Sequence, residues 1–259
     1  MNVPLILLAG EAGSGKDTAA AAIVNEFPEL NPVAIGQADE IKRFAGFLFD
    51  FTPAQLWGPS ENRNTQDPRC LSSPADLWDN ATERANSGKT AKWIEKLGHE
   101  KAGEVFDSWF EGLDKAYRYT LSPRVVLQTL GTEFGRSLDA NVWSRLTLDT
   151  AFRALNGGYL YTRSGGLVPE NMNHDLVVIT DGRFRNEVLN VKRAGGLTML
   201  IKRFPTKKSG GPGIKDHASE ALSAIPNFWF DVILENNFEI DRSYFEQEVI
   251  DYVSGALYP

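Results

Sequence analysis

The chain of 259 residues holds one cysteine, Cys70, and only three histidines. A single thiol cannot close an intrachain disulfide, which fits a reducing compartment. No histidine stands at metal-ligand spacing from a partner, which argues against a zinc site. No apolar run approaches the roughly 20 residues that span a bilayer. The apolar N-terminal stretch is short, lacks a basic leader and runs straight into a glycine-rich motif, so it does not read as a signal peptide. Basic residues are not in excess either: 27 Lys and Arg face 34 Asp and Glu, a net charge of −7. That balance excludes a broad electrostatic footprint for nucleic acid. Internal repeats and low-complexity tracts are absent. The expectation is a cytoplasmic globular protein, 42% hydrophobic, with length for one large domain or a core with inserts.

What the chain does have begins at residue 10. Gly10-Glu11-Ala12-Gly13-Ser14-Gly15-Lys16-Asp17-Thr18 follows the apolar run 3–9 and precedes an alanine-rich helical stretch. Gly10 and Gly15-Lys16 have the spacing of a P-loop, with Asp17 where Ser or Thr normally follows the lysine. The bare pattern arises by chance roughly one time in a hundred in a chain this long. Its strand–loop–helix context tightens the inference to nucleotide binding. Glycines let backbone N–H groups converge on a polyphosphate, the helix N-terminus adds positive potential, and Lys16 reaches the terminal phosphates as a point charge. Gly10, Ala12, Gly13, Ser14, Gly15, Lys16, Asp17 and Thr18 are the candidate ATP-binding set. A carboxylate at Asp17 needs a bridging cation beside a triphosphate, so Asp17 is the candidate magnesium residue, through water. The alternative is that it only caps the helix.

Five apolar, β-branched runs read as buried strands: 3–9, 32–35, 176–180, 197–202 and 231–235. Helical patterns fall at 15–27, 39–49, 123–136, 141–155, 183–194 and 244–257, with Pro123 at a first helical position after a Ser122 cap. The alternation predicts an α/β fold, a doubly wound parallel sheet of about five strands flanked by helices. Residues 52–121 hold no convincing buried strand. They read as a mainly helical insertion, with helical stretches near 76–85 and 91–117, inside a single domain covering 1–259. Glycine-rich segments at about 156–174 and 204–216 read as lid-like loops. Lys207 and Lys208, in the second, either close over phosphates or keep it solvated.

Asp181 ends the third strand, where open α/β sheets place ligands, and is a candidate for metal-water binding or for holding an acceptor group. Gly182 stands where motor ATPases place a water-activating glutamate, which favours transfer to a second substrate over hydrolysis. Arg183 and Arg185 follow within one turn, and phosphoryl transfer needs cations around the moving group. The competing readings are a helix cap for Asp181 and surface pairing with Glu187 or Asp181 for the arginines. Trp143 on a helix reads by itself as core, and an aromatic beside a nucleotide can also stack a base. His217-Ala218-Ser219-Glu220 reads as a helix start.

Four motifs occur in one order: Gly13–Thr18, Leu127-Gln128-Thr129-Leu130-Gly131-Thr132-Glu133, Asp181-Gly182-Arg183, and His217–Glu220. In this the chain resembles the deoxynucleoside monophosphate kinases of tailed bacteriophages, where Gly-Lys-Asp-Thr is itself typical. The resemblance covers most of the sheet core and residues 123–155, and is weak over about 70–120 and 156–174. It implies a P-loop kinase fold with an acceptor-binding insertion and a lid. It further implies transfer of the ATP γ-phosphate to a deoxynucleoside monophosphate, with magnesium. Lys16, Asp181 and Arg183 become the catalytic candidates. Arg63, Gln128, Trp143, Asp181, Arg183 and Glu187 become the acceptor-binding candidates. The implied partners are small nucleotides, with no nucleic acid or membrane. Such kinases are monomers or homodimers. Two other readings are a small-metabolite kinase, such as one resembling dephospho-coenzyme A kinase, and a P-loop ATPase or motor.

Overall fold

The computed structural model describes residues 4–11, 13–204, 225–237 and 240–258. The sequence expectations for Ala12, for Lys207 and Lys208, for 205–216 and for His217–Glu220 lie outside these. The chain forms two compact units. Their described residues are 4–37, 144–204 and 225–258 in the first, and 38–143 in the second.

In chain order the first unit begins with β1 (Leu5–Gly10), α1 (Lys16–Glu26) and β2 (Val33–Gly36). The second holds α2 (Asp39–Phe49), α3 (Pro53–Trp57), α4 (Ser60–Asn64), α5 (Arg69–Ser72) and α6 (Pro74–Ala85). It continues with α7 (Gly88–Lys96), α8 (Ala102–Tyr117), α9 (Pro123–Thr129) and a π-helical stretch, Leu130–Arg136. The boundary falls near the start of α10 (Val142–Leu155). The first unit then resumes with β3 (Tyr159–Thr162), β4 (Gly166–Pro169), β5 (Val177–Gly182), α11 (Arg185–Arg193), β6 (Leu197–Phe204), β7 (Val232–Asn237) and α12 (Arg242–Leu257).

Five strands form a parallel sheet in the order β2-β5-β1-β6-β7. Side chains alternate across a strand, so β1 feeds two cores. Leu5, Leu7 and Ala9 pack with Ala151, Ala154, Val188 and Val191 on one face. Ile6 and Leu8 pack with Ala19, Ile23, Phe245, Val249 and Val253 on the other. A strand buried on both faces needs a continuous apolar run, which is why these strands are legible. The sheet is the expected α/β, doubly wound arrangement.

The segment 156–174 differs from a plain loop. It holds an antiparallel hairpin, pairing Tyr159 with Pro169 and Thr162 with Gly166. Gly157 and Gly158, with φ of 79° and 81°, turn the chain into it. The stretch 91–117 is also not one helix: Gly98, at φ 66°, separates α7 from α8. A left-handed residue ends a helix because only glycine takes it without a Cβ penalty.

The helical unit has an aromatic core. Phe44 stacks on Trp93 with ring centroids 3.5 Å apart, and Phe106, Trp109 and Phe134 pack edge and face around them. The same unit holds an ion pair between Arg69 and Asp67. The buried Asp67 carboxylate accepts bonds from Arg69 Nε at 2.9 Å, Arg69 Nη2 at 2.8 Å and Gln55 Nε2 at 3.3 Å. Burial pushes the Asp67 pKa up, but the side-chain and backbone bonds from Arg69 override it, and the net shift is down. A carboxylate with a lowered folded pKa stabilises above its unfolded pKa, and that contribution is lost as pH falls through the folded value. Asp67→Asn is therefore expected to cost about 2 kcal/mol at pH 7. The gap from wild type should shrink towards pH 3, as read from urea midpoints. A gap that widens with acid would refute the assignment.

Candidate active site

Gly10, Glu11 and the described residues 13–16 lie at the C-terminal end of β1. Gly13 and Gly15 take φ of 73° and 106°, which other residues rarely adopt. A Cβ on Gly10 would collide with the Ser14 hydroxyl and the Ile201 carbonyl, and one on Gly15 with the Asn236 carboxamide. Two side chains at the ends of neighbouring strands hold the loop from outside. Arg203 Nη1 donates to Gly13 O at 3.0 Å and Asn236 Nδ2 to Ser14 O at 3.0 Å. In a trans peptide the N–H points opposite the C=O. Fixing the Ser14 carbonyl on Asn236 thus turns the Gly15 N–H to the other side. The Ser14 hydroxyl is buried and has no hydrogen-bond partner among the described residues.

Lys16 opens α1 and is 6% exposed. Its ammonium donates to Gly10 O at 2.9 Å and Glu11 O at 2.7 Å. Burial lowers its pKa. Asp181 is the strongest influence in the other direction, Arg183 adds to the lowering, and Asp17 and Glu11 oppose it weakly. Lys16, Asp181 and Arg183, far apart in sequence, therefore share one electrostatic field. Asp17 is exposed in the first turn of α1, and Thr18 is half-buried beside it.

Asp181 owes its position to an irregular backbone. β1 and β5 pair Leu7 with Ile179 but Ala9 with Gly182, so β5 carries one extra residue. Such a bulge re-aims a side chain at a strand end. Asp181 itself has φ 65°, one of three described non-glycine residues at positive φ. Gly182 packs on Leu7 and Ala9, and a Cβ there would lie 3.0 Å from Leu7 Cδ1. The missing glutamate thus has a packing reason.

Glu187 is 4% exposed, and Oε2 accepts from the Arg183 N–H at 2.7 Å and the Phe184 N–H at 3.0 Å. It caps α11 and fixes the backbone that carries Arg183. Arg185 lies over the Trp229 ring at 4.4 Å, a cation–π contact that takes it into packing.

Arg63, Gln128 and Trp143 belong to the helical unit. Arg63 closes the α3–α4 turn, donating to Gly58 O at 2.5 Å and Ser60 Oγ at 3.0 Å. Gln128 is buried on α9. Trp143 is 4% exposed, donates from Nε1 to Gly131 O at 2.6 Å and lies against Gly135. In this structure Trp143 is core, as a lone tryptophan on a helix suggests. Its contacts brace the π-helical stretch, a rare geometry frequent at functional sites.

Arg203 and Asn236 were missed by sequence reasoning. The signal was available, because both lie at C-terminal ends of parallel strands, where such sheets bind ligands.

Among the described residues no group of three or more His, Cys, Asp or Glu could hold a metal, and no helix is long and apolar enough to cross a membrane. No protein-family profile matches the chain. It is 27% identical over 256 residues to a protein of Acanthamoeba polyphaga mimivirus provisionally named a deoxynucleotide monophosphate kinase, covering 97% of each chain. It is 28% identical over 258 residues to a deoxynucleoside-5′-monophosphate kinase of Escherichia phage T5, covering 91% of this chain and 90% of that one. The likeness to these two deoxynucleoside monophosphate kinases runs through both units of the chain.

Proposed function

We propose that the protein transfers the γ-phosphate of ATP to a deoxynucleoside 5′-monophosphate, giving ADP and the deoxynucleoside diphosphate. The observation that carries this is the meeting of Lys16, Asp181 and Arg183 at the mouth of the sheet. An acceptor phosphate oxygen forms a bond to the γ-phosphorus, while the bond from that phosphorus to the β–γ bridging oxygen breaks. The acceptor is already an oxyanion, so no strong general base is needed. The chain's work is positioning and charge neutralisation. The glycine cradle, the unpartnered Ser14 hydroxyl and the desolvated Lys16 fit a polyphosphate. Lys16 would exchange two loop carbonyls for phosphate oxygens. Arg183 would neutralise the moving group.

Magnesium bound largely by nucleotide phosphates and water needs only one or two carboxylates. Asp17 and Asp181 would supply them, and the metal would screen charge on the phosphates. No cysteine or histidine is called on, in keeping with an oxygen-liganded hard cation.

A coupled assay of ADP release against the common ribo- and deoxyribonucleoside monophosphates tests this. At least one deoxynucleoside monophosphate should raise the rate about 100-fold or more over ATP alone. Phosphorylation of dephospho-coenzyme A without any nucleotide, or hydrolysis indifferent to acceptor, would overturn it.

A further inference from the structure

The strand next to β5 on its outer side is β2, and the residue that follows its last, Gly36, is Gln37. Pairing runs regularly from Val33↔Val177 to Gly36↔Thr180, and the Gln37 N–H donates to Thr180 O at 3.1 Å. That bond sets the Gln37 backbone against the Thr180–Asp181 peptide. The side chain is 5% exposed. Neither its Nε2 nor its Oε1 has a hydrogen-bond partner among the described residues. Buried polar atoms are almost always paired, because a buried donor or acceptor left unmet carries its full desolvation cost. Folding gains nothing from a carboxamide with both ends unmet. A ligand that satisfies both ends would explain it.

We infer that Gln37 determines acceptor specificity by hydrogen-bonding the neutral nucleoside part of the phosphate acceptor. This rests on the function proposed above. The ligand must offer a donor and an acceptor together. A phosphate dianion would satisfy Nε2 but would set its charge against the lone pairs of Oε1. A sugar hydroxyl or the amide edge of a base supplies both. Position agrees. β2 is two strands from β1 in the sheet, roughly 10 Å at ordinary strand spacing. That is beyond the phosphates gathered at Lys16 and within reach of the nucleoside of a monophosphate held there.

Gln37→Leu tests it, since leucine removes both polar atoms at similar volume. Steady-state kinetics would be measured with each accepted monophosphate and its 3′-deoxy counterpart, and unfolding followed without nucleotide. The acceptor kcat/KM should fall about 10–100-fold, with the KM for ATP within about twofold of wild type. Tm should hold or rise, because replacing an unmet buried amide by an apolar group is neutral or favourable. If the 3′-deoxy penalty vanishes in the variant, Gln37 reads the sugar. If that penalty persists and the loss differs between bases, it reads the base. Unchanged acceptor kinetics, or a lowered Tm with KM for ATP and acceptor affected alike, would overturn the assignment. A wild-type enzyme inactive on every monophosphate would instead overturn the proposed function, and this assignment with it.

Discussion

Lys16→Ala is expected to lower kcat by roughly 10³-fold or more while the fold is retained. Few of the described residues combine so much burial with a full charge: Lys16 is 6% exposed, and two main-chain carbonyls hold its ammonium. Burial lowers its pKa, so the free protein holds this charge at a cost. Alanine removes that cost but leaves the Gly10 and Glu11 carbonyls without their donor. These effects oppose each other, so Tm should stay near that of wild type. Catalysis has no such compensation, because the cation that would sit on the transferring phosphates is gone. Lys16→Arg should not restore activity. Its planar guanidinium is broader than an ammonium, and the Gly10 and Glu11 carbonyls close on the ammonium at 2.9 and 2.7 Å. Single-turnover phosphoryl transfer at saturating ATP is the measurement, and near-normal transfer by the alanine variant would remove Lys16 from the chemistry.

The same lysine marks how far sequence reasoning reaches. The phosphate loop is legible because its glycines answer a steric demand: residues 13 and 15 need positive φ, and positions 10 and 15 have no room for a Cβ. The five sheet strands are legible because burial on both faces writes an unbroken apolar run. The hairpin β3–β4 is not, because four-residue strands between glycine pairs look like loop. The short helix α3 could have been read from Thr52 and Gln55, which form a capping box, Thr52 Oγ1 accepting from the Gln55 N–H at 3.3 Å. Other features exist only in three dimensions. Asn236 and Ser14 are 222 residues apart, and nothing local to either announces their bond. Glu187 shows the converse. Its place near Asp181 and Arg183 suggests acceptor binding, yet its carboxylate is engaged with two backbone N–H groups at the start of α11. The bulge at Asp181 is set by pairing with β1, so its backbone conformation cannot be read from Thr-Asp-Gly alone.

That conformation gives the second large expected effect. Asp181→Asn should lower turnover by about 10²–10³-fold with Tm almost unchanged, since asparagine tolerates the left-handed region at least as well as aspartate. Asp181→Gly should lose as much activity while holding or gaining stability, because glycine occupies φ 65° without a Cβ penalty. A residue kept for structure would behave the other way, with stability falling first. A pH readout separates the roles further. Asp181 is the strongest influence raising the Lys16 pKa against its burial. Without that carboxylate the ammonium loses its proton at lower pH, so the alkaline limb of the pH–rate profile should move towards neutrality in Asp181→Asn. An alkaline limb that stays in place, together with near-wild-type turnover, would separate Asp181 from Lys16 and leave its positive φ as a feature of the bulge alone. An acid-ward shift with lost turnover and intact stability is the result expected of a strained carboxylate held where the phosphates meet.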